Sequence, residues 1–227
     1  MTEFIFMLTQ HDVTVPAALE VLEEVKDTGL RCIGCKDIGL DLGQYRELFG
    51  KMRSYGMRSF LEVVTYDERE YFRGVDLALR IGADYLIGGM PQYTEKTLEY
   101  LKTRDSRLRY FPYIGEVVDH PCILRGSLDD IIEDGKEAER LGVDGVNLLL
   151  YRYKGDEEAL LNEVVKKLRV PVIVAGSIRN FEQIEELKRK DIWAFTIGGA
   201  VFDRRFVEGK GIREQITAVL GRLGKNG

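Results

Sequence analysis

Short apolar runs alternate along the chain with longer segments whose apolar positions recur every three or four residues. The runs at 4–9, 31–36, 58–64, 85–89, 108–114, 145–150, 170–175 and 194–198 read as strands. The segments 16–28, 41–55, 67–81, 94–104, 127–141, 156–168, 180–189 and 212–223 carry the helical period. Strict alternation of strand and helix predicts a parallel sheet, whose strands are buried on both faces and read as apolar runs. Gly29, Gly56, Gly82 and Gly142 each follow a helical stretch and are predicted to end it. The stretches LRIGADYLIGG and ERLGVDGVNLL repeat one pattern: helix end, glycine, small turn, aspartate, apolar strand.

Two architectures share this alternation. A doubly wound open sheet usually carries a glycine-rich phosphate turn after its first strand. Here that turn is TQHDVTVP, with no glycine. The predicted fold is therefore α/β, a single (β/α)8 TIM barrel spanning 1–227, at the small end of the barrel range.

Composition narrows the function classes. Hydrophobic residues make up 44% and charged residues 31%, as expected for a globular domain with a soluble surface. The net charge is −5 and no clustered positive stripe exists, which argues against nucleic-acid binding. The opening MTEFIFMLTQHD has neither the pattern of a signal peptide nor that of a membrane span, so a cytoplasmic protein that does not engage membranes is expected. Cys32 and Cys35 form a C-x-x-C pair, but on a strand, where residues three apart face opposite sides. They read as structural thiols, and with Cys122 they give no disulfide framework. Two histidines and scattered carboxylates announce no metal site. No G-x-G-x-x-G follows a strand, so no nicotinamide cofactor is expected, nor any other.

In a barrel of this kind, chemistry sits at the C-terminal ends of the strands. Glu62, flanked by apolar neighbours, is costly to bury unpaired, and Lys36 at the end of the adjacent strand is its expected cationic partner. A Lys and a Glu facing one ligand can move protons between neighbouring carbons; a filling ion pair is the plainer alternative. His11 and Asp12 follow the first strand and join the catalytic candidates, although Asp12 and Thr14 also suit a helix cap. Asp37, next to Lys36, is expected to point to the other face or to turn with the loop, where it could cap the next helix or anchor Lys36. Glu116, Tyr151 and Arg152 are candidate substrate contacts, and the long connection 115–126, which holds His120, is a candidate lid. The runs ending in Ala175-Gly176-Ser177 and Gly198-Gly199-Ala200 each open into a helix. Such corners expose backbone N–H groups, so Gly176, Ser177, Gly198 and Gly199 are candidate phosphate ligands, with Arg179 and Arg204 as neighbouring charges.

The segments VIVAGSIRNFEQIEEL and AFTIGGAVFD resemble the C-terminal quarter of the ribulose-phosphate-binding barrel superfamily. The resemblance covers about 35 residues, is specific to the phosphate site, and implies a small phosphorylated sugar-like ligand between the two corners. The superfamily's epimerases of ribulose phosphate place metal-binding His and Asp where this chain has Lys36, Glu62 and Ala175, and its decarboxylases carry a D-x-K-x-x-D run unlike CKDIGLD. The Lys and Glu of its N-acetylmannosamine-6-phosphate epimerases agree in type with Lys36 and Glu62. The whole chain is also similar to uncharacterised bacterial barrel proteins, some labelled 4-hydroxythreonine-4-phosphate dehydrogenase. That label fits poorly, because that enzyme family binds a metal through histidines and is not a barrel of this kind. The expected function is a sugar-phosphate isomerase or epimerase working by Lys/Glu proton transfer. A lyase, either aldolase or decarboxylase, and a non-catalytic phosphometabolite-binding protein are the alternatives. A homodimer is compatible with a barrel of this size.

Overall fold

Strand one (Glu3–Met7) runs parallel between strand eight (Ala194–Ile197) and strand two (Cys32–Lys36). The first and last strands are thus neighbours in one sheet. The computed structural model describes residues 2–119 and 121–224. Strands three to seven are Arg58–Val63, Tyr85–Gly88, Arg109–Phe111, Val146–Leu148 and Val172–Val174. The ladder runs without a break from strand six through seven, eight, one, two, three and four to five. The ring closes between strands five and six: Tyr113 bridges Asn147, whose N–H donates to the Pro112 carbonyl at 2.7 Å. The expected (β/α)8 barrel is the observed fold.

Alternation along each strand divides the core in two. Ile5, Met7, Cys32, Phe60, Tyr85, Ile87, Phe111 and Ile173 fill the barrel interior, while Phe4, Phe6, Ile33 and Cys35 pack outward under the helices. Cys32 and Cys35 thus face opposite sides, and neither forms a disulfide. The lower interior is an aromatic plug: Phe60 stacks on Tyr85 at 4.3 Å and Phe111 on Trp193 at 5.1 Å between centroids. Two glycines make room for it. A Cβ at residue 34 would lie 2.8 Å from Phe60 Cβ, and one at residue 145 would lie 2.1 Å from the Phe111 ring. With the bottom filled by rings, the polar inward residues gather at the other end.

The helices α1 (Ala18–Val25), α2 (Leu42–Ser54), α3 (Glu68–Ile81), α4 (Thr94–Lys102), α5 (Leu128–Leu141), α6 (Glu157–Lys167) and α7 (Phe181–Arg189) surround the barrel, followed by a single turn, α8 (Gly199–Phe202), and by α9 (Ile212–Arg222). Gly82 and Gly142 end α3 and α5 in the left-handed conformation, with φ 67° and 89°. The repeated aspartates have a common use. Asp84 accepts from the Ser59 N–H at 2.8 Å and Asp144 from the Tyr110 N–H at 2.9 Å. Each satisfies a free donor at the start of the preceding strand, which is why the pattern recurs.

Outside the predicted alternation lie α8, the single helical turns Pro91–Tyr93 and Leu150–Arg152, and two antiparallel hairpins, Thr9–Gln10 with Val13–Thr14 and Glu116–Val118 with Ile123–Arg125. Strands of two or three residues are too short to show a period. The first hairpin turns on His11 and Asp12, both with positive φ, 51° and 63°. Such turns usually carry Asn-Gly or Asp-Gly, so His-Asp gives no turn signal. No helix among the described residues is long and apolar enough to cross a membrane.

Candidate functional site

A cavity of about 470 Å³ opens at the C-terminal ends of the strands. Its reactive end is set by the register of strands two and three, which puts Lys36 directly beside Glu62. Lys36 is 8% exposed, and its Nζ lies 2.7 Å from Asp12 Oδ1. The expected Lys36–Glu62 ion pair is thus replaced by a pair with Asp12, carried in by the hairpin turn. Holding two L-residues in the left-handed region costs about 1–2 kcal/mol each, and here it delivers Asp12 to the ammonium. The Lys36 backbone is fixed as well: Thr14 Oγ1 accepts from its N–H at 3.0 Å and donates to its carbonyl at 2.7 Å, and the Tyr45 hydroxyl donates to the same carbonyl at 2.7 Å. Neither Asp12 nor Thr14 caps a helix; α1 begins after Ala17 with no side-chain cap.

Burial pulls the Lys36 ammonium toward losing its proton, but the Glu62 charge and the Asp12 contact outweigh it, and its pKa is raised. Lys36 is therefore a cation at neutral pH. Glu62 accepts a 2.7 Å hydrogen bond from the fully buried Tyr113 hydroxyl. Burial first and the Glu62 charge second push that phenol well above its ordinary pKa, so it remains a donor. Cys122, on the hairpin over the mouth, also lines the cavity, its thiol raised by burial against the opposing pull of Lys36.

The far end is built from both glycine-bearing corners. Gly176, Ser177, Gly198 and Gly199 all line the same cavity, with Arg152, Arg179 and Arg205. The glycines differ in what they allow. Gly176 has φ 82° and a Cβ there would meet Arg152 Nε at 2.9 Å; a Cβ on Gly198 would meet the Thr9 carbonyl at 2.6 Å. Their missing side chains admit protein atoms, whereas Gly199 has open space where its Cβ would stand. Ser177 also holds a positive φ, 61°, and its Oγ accepts from Arg152 Nε at 3.2 Å. The α8 turn starts at Gly199 without a side-chain cap.

Of the other candidates, His11 is exposed on the turn and lines the cavity. Tyr151 points away: its hydroxyl donates to Glu186 Oε2 of α7 at 3.0 Å. Glu116 is exposed on the first strand of the upper hairpin and is not part of the cavity wall. His120 lies outside the described residues. Arg204 is exposed, and its neighbour Arg205 is the one that reaches the cavity. The segment 115–126 is a hairpin docked on the mouth, with Leu124 wholly buried. Cys122 and Arg205 line the cavity although the pattern alone does not raise them as site candidates, whereas Thr9 and Tyr113 stand among the polar residues at strand ends, where chemistry is expected. Thr9 lines the cavity, is 8% exposed, and has a buried hydroxyl with no protein partner. Among the described residues no group of three His, Cys, Asp or Glu is placed to hold a metal ion.

Asp37 turns outward, as expected, against Gly74 of α3, and burial raises its carboxyl to about 6. Below about pH 4 the carboxyl is protonated folded or unfolded and costs nothing; above pH 6 it is charged in both states, and the upward shift costs about 3 kcal/mol at ~1.4 kcal/mol per pKa unit. An Asp37→Asn variant is accordingly expected to melt about 5 °C or more above the wild type at pH 7.5 and at the same temperature at pH 4. A gain of equal size at both pH values would contradict this.

No protein-family profile matches the chain. A putative N-acetylmannosamine-6-phosphate 2-epimerase of Clostridium perfringens (strain SM101) is 32% identical over 77 residues, 31% of this chain and 35% of the relative. The chain thus covers about a third of the length of the curated relatives it matches. Among solved structures, the N-acetylmannosamine-6-phosphate 2-epimerase from Clostridium perfringens superposes with a TM-score of 0.63 and 16% identity, covering 97% of this chain and 93% of that one. The 3-hexulose-6-phosphate synthase from Salmonella typhimurium gives 0.67 and 14%, covering 99% and 100%. At these identities the structural likeness establishes the TIM-barrel fold. The 4-hydroxythreonine-4-phosphate dehydrogenase label gains no support from these relatives.

Proposed function

We propose that the cavity is the active site of an isomerase or epimerase that moves a proton at the carbon next to a carbonyl in a small phosphorylated sugar. The observation that carries this reading is the shared cavity: the Lys36 and Glu62 side chains and both glycine-bearing corners line one space. The phosphoryl group sits at Gly176–Ser177 and Gly198–Gly199, with Arg152, Arg179 and Arg205 around it, and its binding energy holds the reacting carbon in place. Glu62 takes the proton from carbon. The Lys36 ammonium, held by Asp12, stabilises the negative oxygen of the enolate and returns a proton from the other side. The likeness to N-acetylmannosamine-6-phosphate 2-epimerases in sequence and in fold supports an epimerase of this kind, and the resemblance of the two corners supports membership of the ribulose-phosphate-binding superfamily.

The lyase alternative needs a neutral lysine to form an imine. A Lys36 ammonium that pairs with Asp12 and titrates upward works against it. The test is proton exchange in heavy water, followed by NMR, with N-acetylmannosamine 6-phosphate and a panel of aldose and ketose phosphates. Deuterium is expected to enter one carbon next to the carbonyl of one substrate. A covalent adduct trapped by borohydride, with no exchange, would overturn the reading in favour of the lyase.

A further inference from the structure

The hairpin over the mouth and the corner assigned to the phosphate meet in a single guanidinium. Arg152, just beyond strand six, donates Nε to Ser177 Oγ at 3.2 Å and Nη1 to the Cys122 carbonyl at 3.3 Å. It lies there because residue 176 has no side chain: a Cβ would come 2.9 Å from Nε. An arginine has five N–H donors, so three remain for an anion in the cavity that Arg152 lines. Ser177 Oγ accepts from Arg152, which leaves its own proton free to donate to the same anion.

The hairpin is held at its base, by the Tyr66 hydroxyl, which donates to the Asp119 carbonyl at 3.2 Å, and by Arg152. Its base is fastened by backbone: Leu124 bridges Tyr153, the Lys154 N–H donates to the Leu124 carbonyl at 3.1 Å, and the Tyr153 hydroxyl donates to the Gly126 carbonyl at 3.0 Å. Cys122, toward its tip, is tied by Arg152, and among the described hairpin residues Cys122 lines the cavity and feels the charges of both Lys36 and Glu62. Both Arg152 bonds are to neutral oxygens and longer than the usual ~2.9–3.0 Å for N–H···O. Charge-assisted forks to an anion are shorter and about twice as strong.

Resting on the phosphate site proposed above, we infer that Arg152 is a positioning residue that makes closure of the hairpin conditional on an anion at the Ser177 corner. An empty corner leaves the guanidinium weakly held, so that the Cys122 end of the hairpin depends on the 3.2 Å Tyr66–Asp119 bond and opens more readily. An anion fixes the guanidinium, which then fixes the Cys122 carbonyl and covers Lys36 and Glu62. Binding energy gained at the phosphate is thereby used to exclude water at the reacting end, and a ligand without a phosphoryl group fails to close the site.

The test is amide hydrogen exchange at residues 116–118 and 122–125 with inorganic phosphate as the probe, with thermal shift recorded in parallel. In the wild type, saturating phosphate is expected to raise the melting temperature and slow exchange at 122–125 about tenfold. In Arg152→Gln, phosphate raised to saturation is expected still to raise the melting temperature but not to slow exchange there. Slowing of equal size in the variant, or none in a wild type that binds phosphate, overturns the inference and leaves the phosphate site standing. Absence of any thermal shift in the wild type removes the phosphate site itself, and this inference with it. Should Arg152→Gln not fold, Arg152→Lys replaces it: the ammonium keeps the charge but cannot span both oxygens, and the same loss of slowing is expected.

Discussion

A Lys36→Met variant is expected to fold normally and to lose about 10³-fold or more in kcat, within the range by which a positioned acid or base usually contributes. The fold should survive for a local reason. What pins this segment is the backbone of Lys36, held by Thr14 and Tyr45, and those bonds do not involve its side chain. Asp12 loses its Lys36 contact but is partly exposed, so water takes over at that oxygen. Methionine suits a site that is 8% exposed and adapts to irregular space. Because the phosphate corners lie at the other end of the cavity, KM should change far less than kcat. The measurement is steady-state turnover on the substrate found by proton exchange, with a melting curve on the same sample. A variant that retains kcat within tenfold would remove Lys36 from the chemistry and leave it as a charged wall residue.

The largest stability effect is expected at Gly145. An alanine Cβ there would stand 2.1 Å from the Phe111 ring and 2.5 Å from the Pro171 carbonyl oxygen. The ring is locked in the aromatic plug against Trp193, and the carbonyl accepts the Val146 N–H at 2.9 Å, so neither retreats cheaply. Overpacking usually costs about 1–3 kcal/mol, and a clash with backbone at the seam where the ring closes belongs at or above the top of that range. Gly145→Ala is expected to lower the melting temperature by about 6 °C or more. Combining it with Phe111→Leu should return part of the loss, since the smaller side chain vacates the collision. Gly50→Ala is the control: it lies within α2 with nothing near its Cβ position, and alanine there should stabilise by about 0.5–1 kcal/mol. An unchanged melting temperature in Gly145→Ala would mean the seam between strands five and six is looser than described.

The architecture was legible because the barrel strands read as apolar runs, the surrounding helices are long enough to show their period, and residues with a physical role punctuate both. Gly82 and Gly142 end helices in the one conformation that favours glycine, and Asp84 and Asp144 answer the free donors of neighbouring strands. Lys36 and Glu62 were legible for the same reason: one sits at the end of an apolar strand, the other within one, in adjacent register. What the pattern did not carry was who partners whom. Asp12 reaches Lys36 through a two-residue hairpin whose His-Asp turn has no signature, and Tyr113 reaches Glu62 across strand four. Those are contacts between distant positions, and periodicity is local. Tyr151 was misread for a related reason. Its place after strand six fits a site residue, but the single helical turn at Leu150–Arg152 sends it toward α7 and sends Arg152 to the cavity. The two corners were read correctly as neighbours, yet the glycines at 176 and 198 are there mainly to let Arg152 and strand one approach.

The proposed chemistry requires an anion seated between those corners, and a crystal structure of the protein with inorganic phosphate tests for it. Phosphate oxygens are expected about 2.7–3.2 Å from the backbone nitrogens of Ser177 and Gly199, with the Ser177 hydroxyl and Arg152 in contact. Phosphate bound elsewhere, with that end of the cavity holding only water at saturating concentration, would contradict the account and leave a barrel whose ligand is not phosphorylated.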